Sequence, residues 1–235
     1  MGQLPDKTAP ASAAVDAFLK KAAQVPAPAE GRGRLIFALD ATMSRQPTWD
    51  LAQTLQQRMF EAAGGFGGLD VQLVYFRGLG ECRASGFVSQ GAGLAALMSR
   101  IDCRGGHTQI GKVFAHALQE ARAARVGALV FIGDAMEENA DTLCAQAGDL
   151  ALRGVKAFMF HEGGDAGVGK VFREIARLTG GAYAAFDARA PQKLAALLGA
   201  AAVYAAGGYT ALEKKARDGD ASARLLIEQM GGKRG

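Results

Sequence analysis

Three oxygen-bearing side chains alternate at Asp40, Thr42 and Ser44, directly after the unbroken apolar run Leu35–Leu39 in the stretch RLIFALDATMSRQ. Alternate residues of an extended segment share a face, so these oxygens can point one way before the chain turns near Pro47. One carboxylate with two hydroxyls suits a hard cation, Mg²⁺ ahead of Zn²⁺ or copper. The same residue types also crowd helix starts as caps, and the spacing alone leaves both readings open. Two distant segments supply further oxygens. Thr108 sits in the Gly-rich turn GGHTQIG (105–111), and Asp134 follows the buried run VFIG in VFIGDAMEEN (130–139).

The elements that must position these residues follow from hydrophobic periodicity. Strand patterns occur at 34–39, 70–76, 83–88, 127–132, 155–160 and 181–186. Between them lie helical patterns: TWDLAQTLQQRMFEAAGG, GAGLAALMSRI, IGKVFAHALQEARAA, NADTLCAQAGDLALRG and VGKVFREIARLTGG, several of them stopping at glycine. The runs at 34–39, 127–132 and 155–160 are apolar on both faces, as strands at the centre of a parallel sheet require. Only RGLGEC separates 70–76 from 83–88, too short for a crossover helix, so these two are expected to pair as a hairpin. The expected architecture is a doubly wound, mostly parallel α/β domain with one antiparallel edge strand and helices on both faces. Ligands of such sheets bind beyond the carboxyl ends of the strands, which is where Asp40 and Asp134 fall.

In the order DATMS, GGHT and GD, the chain resembles the von Willebrand factor A (vWA) domain family over about 31–206. That family's metal-ion-dependent adhesion site (MIDAS) combines Asp-x-Ser-x-Ser, a Thr after a Gly-rich turn and an Asp closing the next strand. The resemblance implies that Asp40 anchors the metal and its water shell and that Ser44 coordinates directly. Thr42 stands where the family usually has Ser, adding a methyl group and a stiffer χ1. Thr108 would bind when a partner is present, and Asp134 directly or through water. The implied cofactor is Mg²⁺, with Mn²⁺ or Ca²⁺ as substitutes. Mg²⁺ with few anionic protein ligands keeps a position for an incoming carboxylate, so the implied task is to grip an Asp or Glu of a protein partner. No catalytic residue is assigned. In the family, intracellular members often work beside AAA+ ATPases or chaperone systems.

The flanks are expected to be a helix and Ala/Pro-rich linker over 1–30 and a helical extension with a basic tail over 207–235. Of the 235 residues, 49% are hydrophobic and 21% charged, which is globular composition. Cys82, Cys103 and Cys144 are odd in number and lack CxxC spacing, so they are expected as free packing thiols in a reducing compartment. With no signal-peptide core and no apolar run near twenty residues recognised, a cytoplasmic, membrane-free protein is the expectation. The net charge of +4 comes from scattered arginines without interleaved aromatics, which argues against nucleic acid as a partner. GDAGVGKV (164–171) fits a P-loop until Val171, where Ser or Thr is required, and is expected to be a plain Gly-rich loop. An aspartyl phosphatase would want an acid at Thr42. A metal-free scaffold binding through the helical extensions is the other alternative. At the rim, Glu137 and Glu138 are expected to repel an acidic ligand, and Arg45, Arg104 and His107 to attract one.

Overall fold

All six strands read from the sequence are present in the computed structural model, which describes residues 31–42, 46–187 and 189–231. The helix and linker expected over 1–30 lie outside these residues, as do Ser44 and Arg45. The strands β1 (Gly33–Asp40), β2 (Leu69–Arg77), β3 (Glu81–Val88), β4 (Ala128–Gly133), β5 (Lys156–Glu162) and β6 (Ala182–Phe186) form one sheet in the order β3-β2-β1-β4-β5-β6. β3 runs antiparallel to β2 as the expected hairpin, and the other neighbours are parallel. The strand order reverses at β1, which pairs with β2 on one side and β4 on the other. The ends of β1 and β4 therefore form the crevice where a doubly wound sheet binds its ligand.

Side-chain alternation sends β1 into two cores. Leu35, Phe37 and Leu39 pack on one face with Trp49 and Met59 of α1 (Gln46–Ala63) and Leu94 of α2 (Gly91–Met98). Ile36 and Ala38 pack on the other with α3 (Ile110–Ala123), α4 (Ala140–Leu152) and α5 (Ala166–Thr179). Caps fix the starts of two of these helices: Asn139 accepts from the Thr142 amide at 3.0 Å and Asp165 from the Val168 amide at 2.8 Å. The second cap bears on the P-loop pattern: the Asp165 carboxylate occupies the N-terminus of α5, where a phosphate would sit, and Gly167, Gly169 and Lys170 lie inside the helix.

Two features differ from expectation. α6 (Pro191–Arg217) crosses the expected 206/207 boundary and bends at Gly208, whose φ of +71° only glycine adopts easily. Its stretch 194–212 holds no charged residue, and by length and composition this helix passes for a membrane span, an apolar run the sequence reading overlooked. Two thirds of that window is buried inside the protein, against α1 and the sheet, so its hydrophobicity serves the core. The second feature is α7 (Ala221–Met230), which folds back on α6 and reaches the edge of the sheet. There the Gln229 carboxamide accepts from the Tyr183 N–H at 2.8 Å and donates to the Tyr183 carbonyl at 2.7 Å. One side chain thus imitates a neighbouring strand and covers part of the edge of β6.

Candidate functional site

The β1 strand delivers Asp40 to the crevice almost fully buried, at 3% exposure. Its carboxylate accepts the Thr42 amide at 2.7 Å, an Asx-type turn that bends the chain out of the strand and buries Thr42 to 8% exposure. Two backbone bonds hold this turn: the Ala41 amide to the Phe76 carbonyl of β2 (3.0 Å) and the Arg104 amide to the Ala41 carbonyl (3.0 Å). On the other side β4 ends at Gly133, where a Cβ would stand 3.9 Å from that of Asp40. Asp134, half-buried, leaves the sheet from there.

Thr108 reaches the same rim through the Gly-rich turn, and the turn's composition has a steric cause. A Cβ at Gly106 would lie 2.2 Å from the Gly78 carbonyl oxygen, so two backbones touch where the 105–111 turn crosses the β2–β3 connection. The His107 amide then bonds that carbonyl at 3.1 Å. Beyond it, Thr108 and Glu137 bond reciprocally. The Thr108 amide donates to the Glu137 carboxylate at 3.0 Å, and the Thr108 hydroxyl accepts the Glu137 amide at 2.9 Å. His107 Nδ1 lies 2.9 Å from the same carboxylate oxygen.

The structure gives the two rim acids specific partners. Glu137 is committed to Thr108 and His107, and Glu138 accepts the Gly111 amide in the first turn of α3 at 2.8 Å. Both charges sit at the positive end of that helix. The bond from the Thr108 amide, followed by that from His107, holds the Glu137 carboxyl below the usual range. Sequence reading placed both acids on the rim but could not pair them, because their partners lie 29 and 27 residues away at the entry of α3.

The structure therefore ties the segments carrying Asp40, Thr42, Thr108 and Asp134 into one rim; Ser44 lies outside the described residues. Among the described residues no group of three or more His, Cys, Asp or Glu side chains converges on one point. The set Asp40, Thr42, Thr108 and Asp134 contains two carboxylates and two hydroxyls, a hard-oxygen donor set that fits Mg²⁺ by chemistry and would not form such a cluster. The cysteines are free, and burial raises all three thiols, Cys103 to about 11 with help from Asp40 and Asp50. Cys103 is a packing residue beside the rim, with little thiolate character.

His161, at the end of β5, is 1% exposed, with Nδ1 3.0 Å from the Tyr183 hydroxyl and its ring edge-on to Phe172. Burial lowers its pKa from the ordinary 6.5, against the opposing pull of the Asp134 backbone and the Asp165 and Asp134 carboxylates. The unfolded chain then takes up a proton before the folded one, so stability falls as pH drops through 6.5. Urea unfolding at about pH 7.5 and about pH 5.5 is expected to show a lower midpoint at the acid pH. His161→Gln should flatten that difference, with half-buried His116, lowered for the same reason, leaving a residual slope. An unchanged slope in His161→Gln counts against the assignment.

With this geometry in place, the comparison with solved structures is informative. The chain superposes on the SpRpn10 VWA domain with a TM-score of 0.56 at 9% identity, covering 70% of this chain and 95% of that one. The fold is von Willebrand A-like. Human COPII-coat protein Sec24c gives a TM-score of 0.54 at 14% identity, over 72% of this chain and 32% of Sec24c. An aerotolerance-related membrane protein from Bacteroides fragilis gives 0.50 at 20% identity, over 69% and 96%. No sequence-family model matches the chain, and no curated protein sequence does. The vWA-like architecture is thus carried by the arrangement of strands and helices at identities where sequence similarity has faded.

Proposed function

We propose that this vWA-like domain is a metal-dependent protein-interaction module that grips an Asp or Glu side chain of a partner at the β1/β4 crevice. The observation that carries this reading is the burial of Asp40, Thr42 and Thr108, at 3%, 8% and 7% exposure, on the one rim where such a sheet binds ligands. The Thr42 amide on Asp40 and the Glu137 amide on the Thr108 hydroxyl hold these oxygens in place on that rim. Asp40, Thr42, Thr108 and Asp134 would hold Mg²⁺, with Ser44 completing the set, and the bound ion would supply a coordination position for the partner's carboxylate. The chain's own residues do the positioning. The Asx turn orients Asp40, and the Thr108–Glu137 pair fixes the spacing between the α3 entry and the loop after β4.

The role is one of binding. None of the three thiols is activated, and the His107 ring is turned to Glu137. A metal-free scaffold working through its C-terminal helices fits less well, because Leu226 of α7 is fully buried in the core and Gln229 is engaged on β6. An intracellular assembly, of the kind built around an AAA+ ATPase or chaperone, suits a domain with three free thiols. The test is affinity capture with the full chain as bait, in Mg²⁺ and in EDTA. Partners recovered in Mg²⁺ should be lost in EDTA and with Asp40→Asn; equal recovery in both buffers sinks the metal bridge.

A further inference from the structure

A second recognition surface adjoins the rim. Between the β2–β3 hairpin and α2 lies a trough of about 300 Å³, floored by Leu73, Tyr75, Leu97 and Ile101 and flanked by Arg83 and Arg100. Two of the residues lining this trough are arginines. Arg32, Arg34 and Arg77 are ion-paired with Asp70, Glu120 and Glu81. Arg83 and Arg100 are exposed, and among the described residues neither guanidinium has a hydrogen bond or ion pair. Glu81 lies close enough to Arg83 for that charge to help hold its carboxyl low, and it is also bonded by Arg77 Nε at 3.0 Å and by the Tyr75 hydroxyl at 3.0 Å. An apolar floor flanked by two exposed guanidiniums suits an apolar side chain flanked by carboxylates.

Two stretches of chain link the trough to the crevice. Tyr75 stands opposite Leu39 in the β1–β2 register, one residue before Asp40, and its ring meets Trp49 of α1 edge-on at 6.2 Å. From Ile101 the chain runs three residues to Arg104, whose amide bonds the Ala41 carbonyl beside Asp40. Arg77 pins the segment on the way, donating to the Asp102 carbonyl at 2.6 Å. We infer that the trough between β2–β3 and α2 docks an acidic partner segment bearing one Leu-sized anchor, next to the acid that the crevice grips. The inference extends the proposed interface, but the trough needs no metal. Its test can therefore fail or succeed separately from the metal reading.

The probe is the tripeptide N-acetyl-Glu-Leu-Glu-amide, titrated into the full ¹⁵N-labelled chain in EDTA and followed by amide chemical shifts. Saturable shifts are expected at Ala84, Leu97 and Ile101, with none from N-acetyl-Lys-Leu-Lys-amide. The double variant Arg83→Glu/Arg100→Glu, both sites exposed, should unfold like the parent and bind the acidic peptide about tenfold more weakly. Silence at those amides, equal binding of the lysine peptide, or undiminished binding by the double variant overturns the inference. So do concentration-dependent shifts at the same amides without peptide, which would assign the trough to a second copy of the chain.

Discussion

Asp40→Asn is expected to abolish the thermal stabilisation that Mg²⁺ should give to the parent chain. A ligand that binds only the folded state adds RT ln(1 + [L]/Kd), about 2.7 kcal/mol at roughly a hundred times Kd. For a chain of this size that is a rise in Tm of about 5–10 °C. Asparagine is the informative replacement. Its side-chain oxygen can still accept the Thr42 amide that now bonds the Asp40 carboxylate at 2.7 Å, so the turn persists while the charge disappears. Thr42→Val keeps the branched shape and removes one hydroxyl, and should reduce the Mg²⁺ response without removing it. Differential scanning calorimetry in MgCl₂ and in EDTA, at matched ionic strength, reads both effects. The same Tm rise in parent and Asp40→Asn would place the metal elsewhere.

Phe131→Ala destabilises the domain by about 3–5 kcal/mol, the range for a large aromatic removed from a closed core. Phe131 has no exposed surface, lies parallel to Phe76 at 6.2 Å between centroids, and meets Phe172 edge-on at 5.5 Å. It joins β2, β4 and α5 in the core on the α3–α5 face of the sheet. Its ring also packs against Gly133, where an added Cβ would stand 2.8 Å away. The loss should therefore loosen the end of β4 from which Asp134 emerges. Urea unfolding followed by circular dichroism measures the cost. Leu152→Ala, at 77% exposure, is the control and should change stability by about 0.5 kcal/mol or less. Equal effects at the two positions would contradict the core assignment.

Much of the fold was legible because it depends on local pattern. The continuous apolar runs of β1, β4 and β5 could only be central parallel strands. The six residues between the runs 70–76 and 83–88 left room only for a hairpin. Asp40, Thr108 and Asp134 could be nominated because each ends a strand or enters a helix, the places a doubly wound sheet puts its ligand. The extent of α6 was not legible. Its Ala-rich stretch carries no charged residue to mark a polar face, and its bend at Gly208 imitates a domain boundary.

The chain's own order of residues determined the strand sequence, the hairpin, the oxygen-bearing side chains and the glycines that end helices, since each follows from spacing and local conformation. Only the tertiary structure decided what those side chains meet. Glu137 and Glu138 read as repulsive rim charges until the fold set them against the start of α3, about thirty residues away in sequence. Gly106 read as part of a Gly-rich turn until it proved to be a backbone crossing over Gly78. Arg83 and Arg100 were two scattered charges until the hairpin and α2 placed them on either side of one trough. Burial and long-range pairing are properties of the packed chain, and no local pattern encodes which distant group will neutralise a charge.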